Sequence, residues 1–215
     1  MLADRIICLS PDTAASVERD YGIDPKKIAV IPCSVDVDRF SAADGDRSSR
    51  GRHCVFVGRP DTRKGFDLLL AAWPIVRLAV PDAELDVIGW QGMPCSGVTF
   101  HGRLPDVEAA RIVGVSRVAA CVSRLEGFGL AAAEAISAGT PVVATDVDGL
   151  RSVVTENVTG LFASLLPVDI AAKLIGVLTD DVLWERLHDG CGEHRAAFAP
   201  SLETARHLDA FRALY

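Results

Sequence analysis

From Arg124 to Val154 the chain reads R-L-E-G-F-G-L-A-A-A-E-A-I-S-A-G-T-P-V-V-A-T-D-V-D-G-L-R-S-V-V, and few folds accommodate that order. Gly127-Phe128-Gly129 brackets a turn, and an almost wholly alanine and aliphatic helix follows from Leu130. Between Phe128 and Ala138 the only charged residue is Glu134. A helix this small and apolar is suited to lie flush on a sheet, where an unpaired carboxylate costs several kcal/mol. Helical side chains lean toward the helix N-terminus. Glu134 is therefore expected to reach back to the end where the amides of Gly129 and Leu130 lack intrahelical partners. With Glu126 just ahead of the turn, two carboxylates, free amides and the positive end of a dipole are expected to share one small volume. That chemistry suits a ligand bearing both hydroxyls and phosphate.

An isolated Glu-x7-Glu pair reads more simply as a tight turn with a carboxylate tied to backbone. The flanks argue otherwise. Gly139 stands where a helix stop belongs, residues 140–145 read as a buried parallel strand, and an Asp/Gly loop follows at 146–149. Upstream, residues 118–123 form the buried strand that feeds the turn. A further strand at 53–58 runs into the polar loop 59–65, which carries Arg59 and Lys64. A forked guanidinium and an ammonium form a natural diphosphate clamp, at roughly 1.5–3 kcal/mol per charge-assisted bond. As a lone Arg-x4-Lys the pair would read as solvated surface. The preceding strand favours the clamp. The loop opens Gly58-Arg59-Pro60-Asp61 rather than G-x-G-x-x-G, which disfavours a nicotinamide-dependent oxidoreductase.

Taken together, EGFGLAAAEAISAGTPVVATDVDGL, Gly58-Arg59-x4-Lys64-Gly65, Val98-x-Phe100-x-Gly102 and Thr159-Gly160-Leu161 resemble the signature of retaining glycosyltransferases of family 4, the glycosyl transferases group 1, which have the GT-B fold. The resemblance extends over the whole chain and corresponds to the C-terminal, donor-binding half of such an enzyme plus a short preceding piece. It implies an α/β fold with a Rossmann-like parallel sheet and helices on both faces. Residues 1–40 would be a remnant of the N-terminal acceptor domain, 41–51 a linker or surface loop, and 52–215 the nucleotide-sugar-binding domain. By the same resemblance Arg59 and Lys64 hold the diphosphate of a nucleotide-sugar donor. Glu126 and the backbone of Gly127, Phe128, Gly129 and Leu130 hold the transferred sugar, and Glu134 accepts the ribose hydroxyls. Arg103 and Leu104 lie against the base, Arg103 through its backbone. No metal or other cofactor is implied.

Departures from the pattern define further expectations. Cys33-Ser34 replaces Asn-Gly, Gly89-Trp90-Gln91-Gly92 replaces Gly-x-Gly, and Ser152 stands where Glu is frequent. Asp148 stands where glycine is common and would repel a phosphate unless turned away or bound to a metal. Trp90 reads as either a stacking surface or a hydrophobic cover. Arg63 and His101 read as surface residues.

Along the chain, a strand at 5–10, a helix at 11–21 stopped by Gly22, and a strand at 28–32 are expected, then a helix from Phe66 to about Val80 that Pro74 kinks or ends early. A strand at 84–89, a short one at 98–101 and a helix at 105–115 opened by proline and acidic residues follow. Three helices close the chain at 168–178, 181–194 and 201–215, and the resemblance implies that the last crosses back toward the acceptor domain.

At 215 residues, 49% hydrophobic and 24% charged, the chain is long enough for one α/β domain with a full core. A net charge of −7 disfavours a nucleic-acid partner. The six cysteines lack C-x-x-C spacing and read as reduced, buried residues of a cytoplasmic protein. No apolar run approaches the ~18 residues of a membrane span, so membrane contact is at most peripheral. The strand near Ile7 normally lies inside a sheet, and its open edges predict a partner chain carrying the acceptor-binding half, or self-association. Alone, such a chain is expected to bind donor and transfer sugar weakly; the competing reading is a non-catalytic nucleotide-sugar-binding or regulatory subunit.

Overall fold

The computed structural model describes residues 3–45, 50–93 and 95–214. Strand β1 (Ile6–Cys8), helix α1 (Pro11–Tyr21) and strand β2 (Ile28–Val30) come first. Ser10 caps α1 by accepting from the Thr13 amide at 3.1 Å, and Gly22 ends it in the left-handed conformation. β1 and β2 pair in parallel as a separate two-stranded sheet, with Ile7, Leu9 and Val30 exposed beside it. Helix α2 (Val37–Ala42) follows, capped by Asp36, whose Oδ1 accepts from the Arg39 amide at 3.0 Å.

The stretch 41–51 is only in part a loop. Residues 41 and 42 complete α2, and residues 46–49 of that expected linker lie outside the described residues. Its two described flanks are pinned. The buried Arg50 guanidinium donates to Asp44 at 2.6 Å, to the Ser116 carbonyl at 2.9 Å and to the Ala138 carbonyl at 3.3 Å.

Beyond it stand β3 (His53–Val57), α3 (Phe66–Ala79), β4 (Glu84–Ile88), β5 (Val98–Gly102), α4 (Asp106–Val115) and β6 (Val118–Cys121). Then come α5 (Leu130–Ser137), β7 (Val142–Thr145), α6 (Asp148–Arg151), β8 (Gly160–Ala163), α7 (Pro167–Thr179), α8 (Asp181–His194) and α9 (Pro200–Arg212). Six strands form one all-parallel sheet in the order β5-β4-β3-β6-β7-β8. Helices α3 and α7 bury Leu69, Trp73, Val76, Ile170 and Leu174 on one face, while α4 and α5 bury Val113, Ala132, Ala133 and Ile136 on the other. This is the expected α/β sheet covered on both sides.

Helix α3 continues past Pro74 to Ala79, so of the kink or early end expected there the early end does not occur. Proline forfeits one backbone bond, but Leu69, Trp73 and Val76 on either side are at most 2% exposed, and tertiary burial outweighs the local loss. Trp90 is a cover: its ring packs edge-on against Phe66 at 5.5 Å and Phe100 at 5.2 Å. Helix α9 contacts the N-terminal piece, where Glu203 accepts from the Ser34 amide at 2.9 Å and from its hydroxyl. Among the described residues no helix is long and apolar enough to cross a membrane.

Strand order reverses at β3, with β4 on one side and β6 on the other. The loops leaving the C-terminal ends of β3 and β6 therefore diverge from one crevice, the place where open α/β sheets bind ligands.

Candidate functional site

The loop after β3 ends in a 3-10 turn, Thr62–Lys64, capped by Asp61, whose Oδ1 accepts from the Lys64 amide at 2.8 Å. Gly65 then turns with φ +69, and a Cβ there would sit 1.8 Å from the Val122 carbonyl oxygen just after β6. Only glycine lets the two loops approach this closely. Arg124 staples them further: its amide donates to the Arg63 carbonyl at 2.7 Å and its guanidinium grips Asp67 through two bonds of 2.7 Å. Local sequence thus brings Lys64 and Glu126 together, 62 positions apart in the chain.

Their side chains meet directly. Lys64 Nζ donates to Glu126 Oε2 at 2.5 Å, and the Ser123 hydroxyl donates to the same oxygen at 3.2 Å. Glu126 is 12% exposed, so this is a largely desolvated pair, more strongly coupled than a surface salt bridge. Arg63, read from sequence as a solvent residue, leans in from the rim with Nη1 3.9 Å from Glu126 Oε1. Arg59 is exposed and makes no hydrogen bond or ion pair with a described residue. The proposed clamp is thus one cation already engaged and one free.

Gly149 allows the next approach, since a Cβ there would lie 2.4 Å from the Glu126 carbonyl oxygen. It presses α6 onto the Gly127–Gly129 turn. Phe128 is buried in the core between the sheet and α5, leaving only its backbone for a ligand, whereas Leu130 is half exposed. Outside the turn, a hollow of about 290 Å³ is bounded by Glu126, Gly127, Arg63 and Asp148, with Thr13 and Ser16 of α1 opposite. Asp148 is neutralised on its own helix, its Oδ1 accepting from Arg151 at 3.0 Å.

Glu134 does not share the Glu126 hollow. It lines a separate one of about 250 Å³ with Arg39, Arg103, Leu104 and Asp106; Val57 belongs to that wall and also to a narrow cleft lined by Lys64 and Glu126. The two carboxylates expected in one volume are therefore in separate ones, because four residues of helix after Leu130 carry Glu134 past the turn. Burial, then the negative charge of Asp106, push Glu134 up to about 7, against the opposing charges of Arg39 and Lys64. Burial pushes the Cys121 thiol at the end of β6 up to about 12, with Lys64 opposing the rise and Glu126 and Glu134 adding to it.

Several residues were not singled out by sequence. Arg39 lies in the Val-Asp-Arg-Phe run, with no periodic signal marking it as a cavity residue. Ser123 and Arg124 flank the central motif but carry no spacing signature. His101 is not a surface residue: its Nε2 bonds Asp86 at 2.7 Å, and His53 Nδ1 bonds the other oxygen at 2.9 Å. Strand alternation places all three on one face of β3, β4 and β5, a coincidence visible only once strand order is known. The cysteines are free, yet Cys95 is exposed and Cys33 and Cys121 are only half-buried, a correction to uniform burial.

Known proteins resemble this chain in sequence and in fold. A family model described as "Glycosyl transferases group 1" matches residues 51–180, and one described as "Glycosyltransferase Family 4" matches residues 1–39. A D-inositol 3-phosphate glycosyltransferase of Geodermatophilus obscurus is 33% identical over 92% of this chain and 50% of its own length. A phosphatidyl-myo-inositol mannosyltransferase of Mycolicibacterium smegmatis is 37% identical over 71% of this chain and 43% of its own. The chain thus spans about half the length of the curated relatives it matches. Among solved structures, a sucrose-phosphate synthase from Thermosynechococcus elongatus superposes with a TM-score of 0.83 at 25% identity, over 99% of this chain and 58% of that one. The match over 51–180 takes in more than half of the chain and every strand from β3 to β8; the chain belongs to the group 1 glycosyl transferases.

Proposed function

We propose that the chain carries the donor half of a retaining glycosyltransferase and binds a nucleotide-diphosphate sugar at the β3–β6 crevice. The observation that carries this reading is the Lys64–Glu126 pair at the switch point, beside a second hollow lined by Glu134, Arg103 and Leu104. Glu126 and the backbone of residues 127–130 would hold sugar hydroxyls. Lys64 and the free Arg59 would hold the diphosphate and stabilise the charge that grows on the leaving group, the task a bound metal performs elsewhere. Glu134 would accept from the ribose, with Leu104 and the Arg103 backbone against the base. An Anabaena protein solved with UDP and glucose has the same fold at 16% identity, with a TM-score of 0.81. Relatives named for inositol phosphate and phosphatidyl-inositol suggest a polyol acceptor.

Calorimetric titration of UDP-, GDP- and ADP-sugars into wild type, Lys64→Ala and Arg59→Ala tests this reading. One donor class should bind, and either variant should weaken it about tenfold or more, at roughly 1.4 kcal/mol per decade. Absence of binding by all three classes refutes the donor-site reading.

The reading extends to a partner. Two parallel strands do not make a stable sheet alone, and β1–β2 exposes Ile7, Leu9 and Val30. This edge is where acceptor-binding strands, in the same polypeptide or another, would continue the sheet. Co-expression with an acceptor-domain chain should yield a complex that transfers sugar; binding without turnover in every such mixture would favour the regulatory role.

A further inference from the structure

Arg39 reaches the Glu134 hollow from α2, a helix outside the motifs that define the crevice. Its guanidinium is held at two points, Nη2 on Asp36 Oδ2 and Nη1 on Asp106 Oδ2, each at 2.9 Å. Asp36 also caps α2, so the same carboxylate orients both the helix and the side chain. The latch to Asp106 spans from α2 to the first residue of α4, across the mouth of a hollow that Arg39, Asp106 and Glu134 all line. A guanidinium has five N–H donors, and these two contacts leave others free to face the hollow. Arg39 is 36% exposed, partly withdrawn from water but not sealed off.

We propose that Arg39 is a positioning residue of the nucleotide site: latched to Asp106, it supplies from α2 the positive charge that lets Glu134 accept hydrogen bonds from ribose hydroxyls. The inference rests on the donor-site reading above. Three charged groups bear on Glu134: Arg39 from α2, Asp106 from α4 and Lys64 from the loop after β3; Arg103 lines the same hollow. Arg39 and Lys64 favour the ionised carboxylate, whereas burial and Asp106 oppose it. A ribose diol donates two hydrogen bonds, which an ionised carboxylate accepts more strongly than a protonated one. Donor affinity should therefore rise with pH as Glu134 ionises.

This gives a test that a purely structural latch fails. Arg39→Met and Asp106→Asn break the same ion pair, so a structural role would move both variants the same way. An electrostatic role moves them oppositely. The measurement is calorimetric affinity of the 215-residue chain for UDP-glucose, GDP-mannose and ADP-glucose between pH 5.5 and 8.5 (probe range, ~3 units wide), where nucleotide-sugar phosphodiesters do not titrate. For wild type the midpoint should lie near 7, where Glu134 ionises. Arg39→Met should raise it by about half a pH unit or more, which is about twofold in affinity near pH 7 and about threefold well below the midpoint, and Asp106→Asn should lower it. Arg39→Lys keeps the charge and should restore the wild-type midpoint. Asp106 is 79% exposed and its variant should fold normally. Shifts in the same direction, or no shift in either variant, overturn the proposal while leaving the donor site intact. Failure of wild type to bind any of the three sugars overturns both.

Discussion

Replacing Glu134 by glutamine should stabilise the protein above neutral pH and do little in mild acid. The wild-type carboxyl rises from 4.5 to about 7 on folding, chiefly through burial. At about 1.4 kcal/mol per unit, ionising it in the folded protein costs about 3 kcal/mol more than in the unfolded chain, an upper figure because relaxation and water entry reduce it. The sign follows from proton binding. Between the unfolded and folded values the folded state holds the extra proton, so wild-type stability falls as pH rises from 4.5 through 7 and is level beyond. Glutamine has no such term. Urea unfolding of wild type and Glu134→Gln at intervals from pH 4.5 to 8.5 (~4 units) reads the effect, since other titrating groups cancel in the difference. The gap should widen toward high pH by up to about 3 kcal/mol. A gap constant within about 0.5 kcal/mol would mean that Glu134 ionises freely and is not the desolvated group described here.

Gly65→Ala should cost several kcal/mol and loosen the crevice, because the new methyl meets the Val122 carbonyl at 1.8 Å in a left-handed backbone; a thermal melt of the variant within about 2 °C of wild type would contradict this. Asp86→Asn should destabilise most near pH 5–6 (~1 unit wide). Burial opposes ionisation of Asp86, but hydrogen bonds from His53 and His101 win and hold it below its ordinary value, while the bond to Asp86 raises His53. The Asp86 contribution is lost as pH falls through its lowered value and the His53 contribution as pH rises through its raised one, so a variant deficit that keeps growing as pH rises into the alkaline range would refute the coupling.

Much of the architecture was legible because local and global signals agree. Gly22, Gly65 and Gly139 each end or turn an element where the sequence places a stop, and α5 is small and apolar enough to lie against the sheet. That Lys64 and Glu126 lie at the rim of the sheet was legible because each follows a buried strand. Their direct bond was not, since it depends on β3 and β6 being neighbours although β4 and β5 intervene in the chain. The separation of Glu126 from Glu134 into separate hollows was likewise hidden, because helix direction predicts where a side chain leans but not which wall stands between two of them. Arg39 and the His53–Asp86–His101 cluster were invisible for the same reason: only the assembled layers bring distant polar residues face to face.

Arg50 changes what the stretch around it permits. A cationic side chain with no exposure, bound to Asp44 and to main-chain oxygens behind both α4 and α5, acts as a rivet rather than a tether. Arg195 of the segment after α8 grasps the other oxygen of Asp44 at 2.8 Å. Swinging β1–β2 against the larger sheet would have to leave the Asp44–Arg50 contact in place, since parting the two would strand a guanidinium in the interior without that carboxylate.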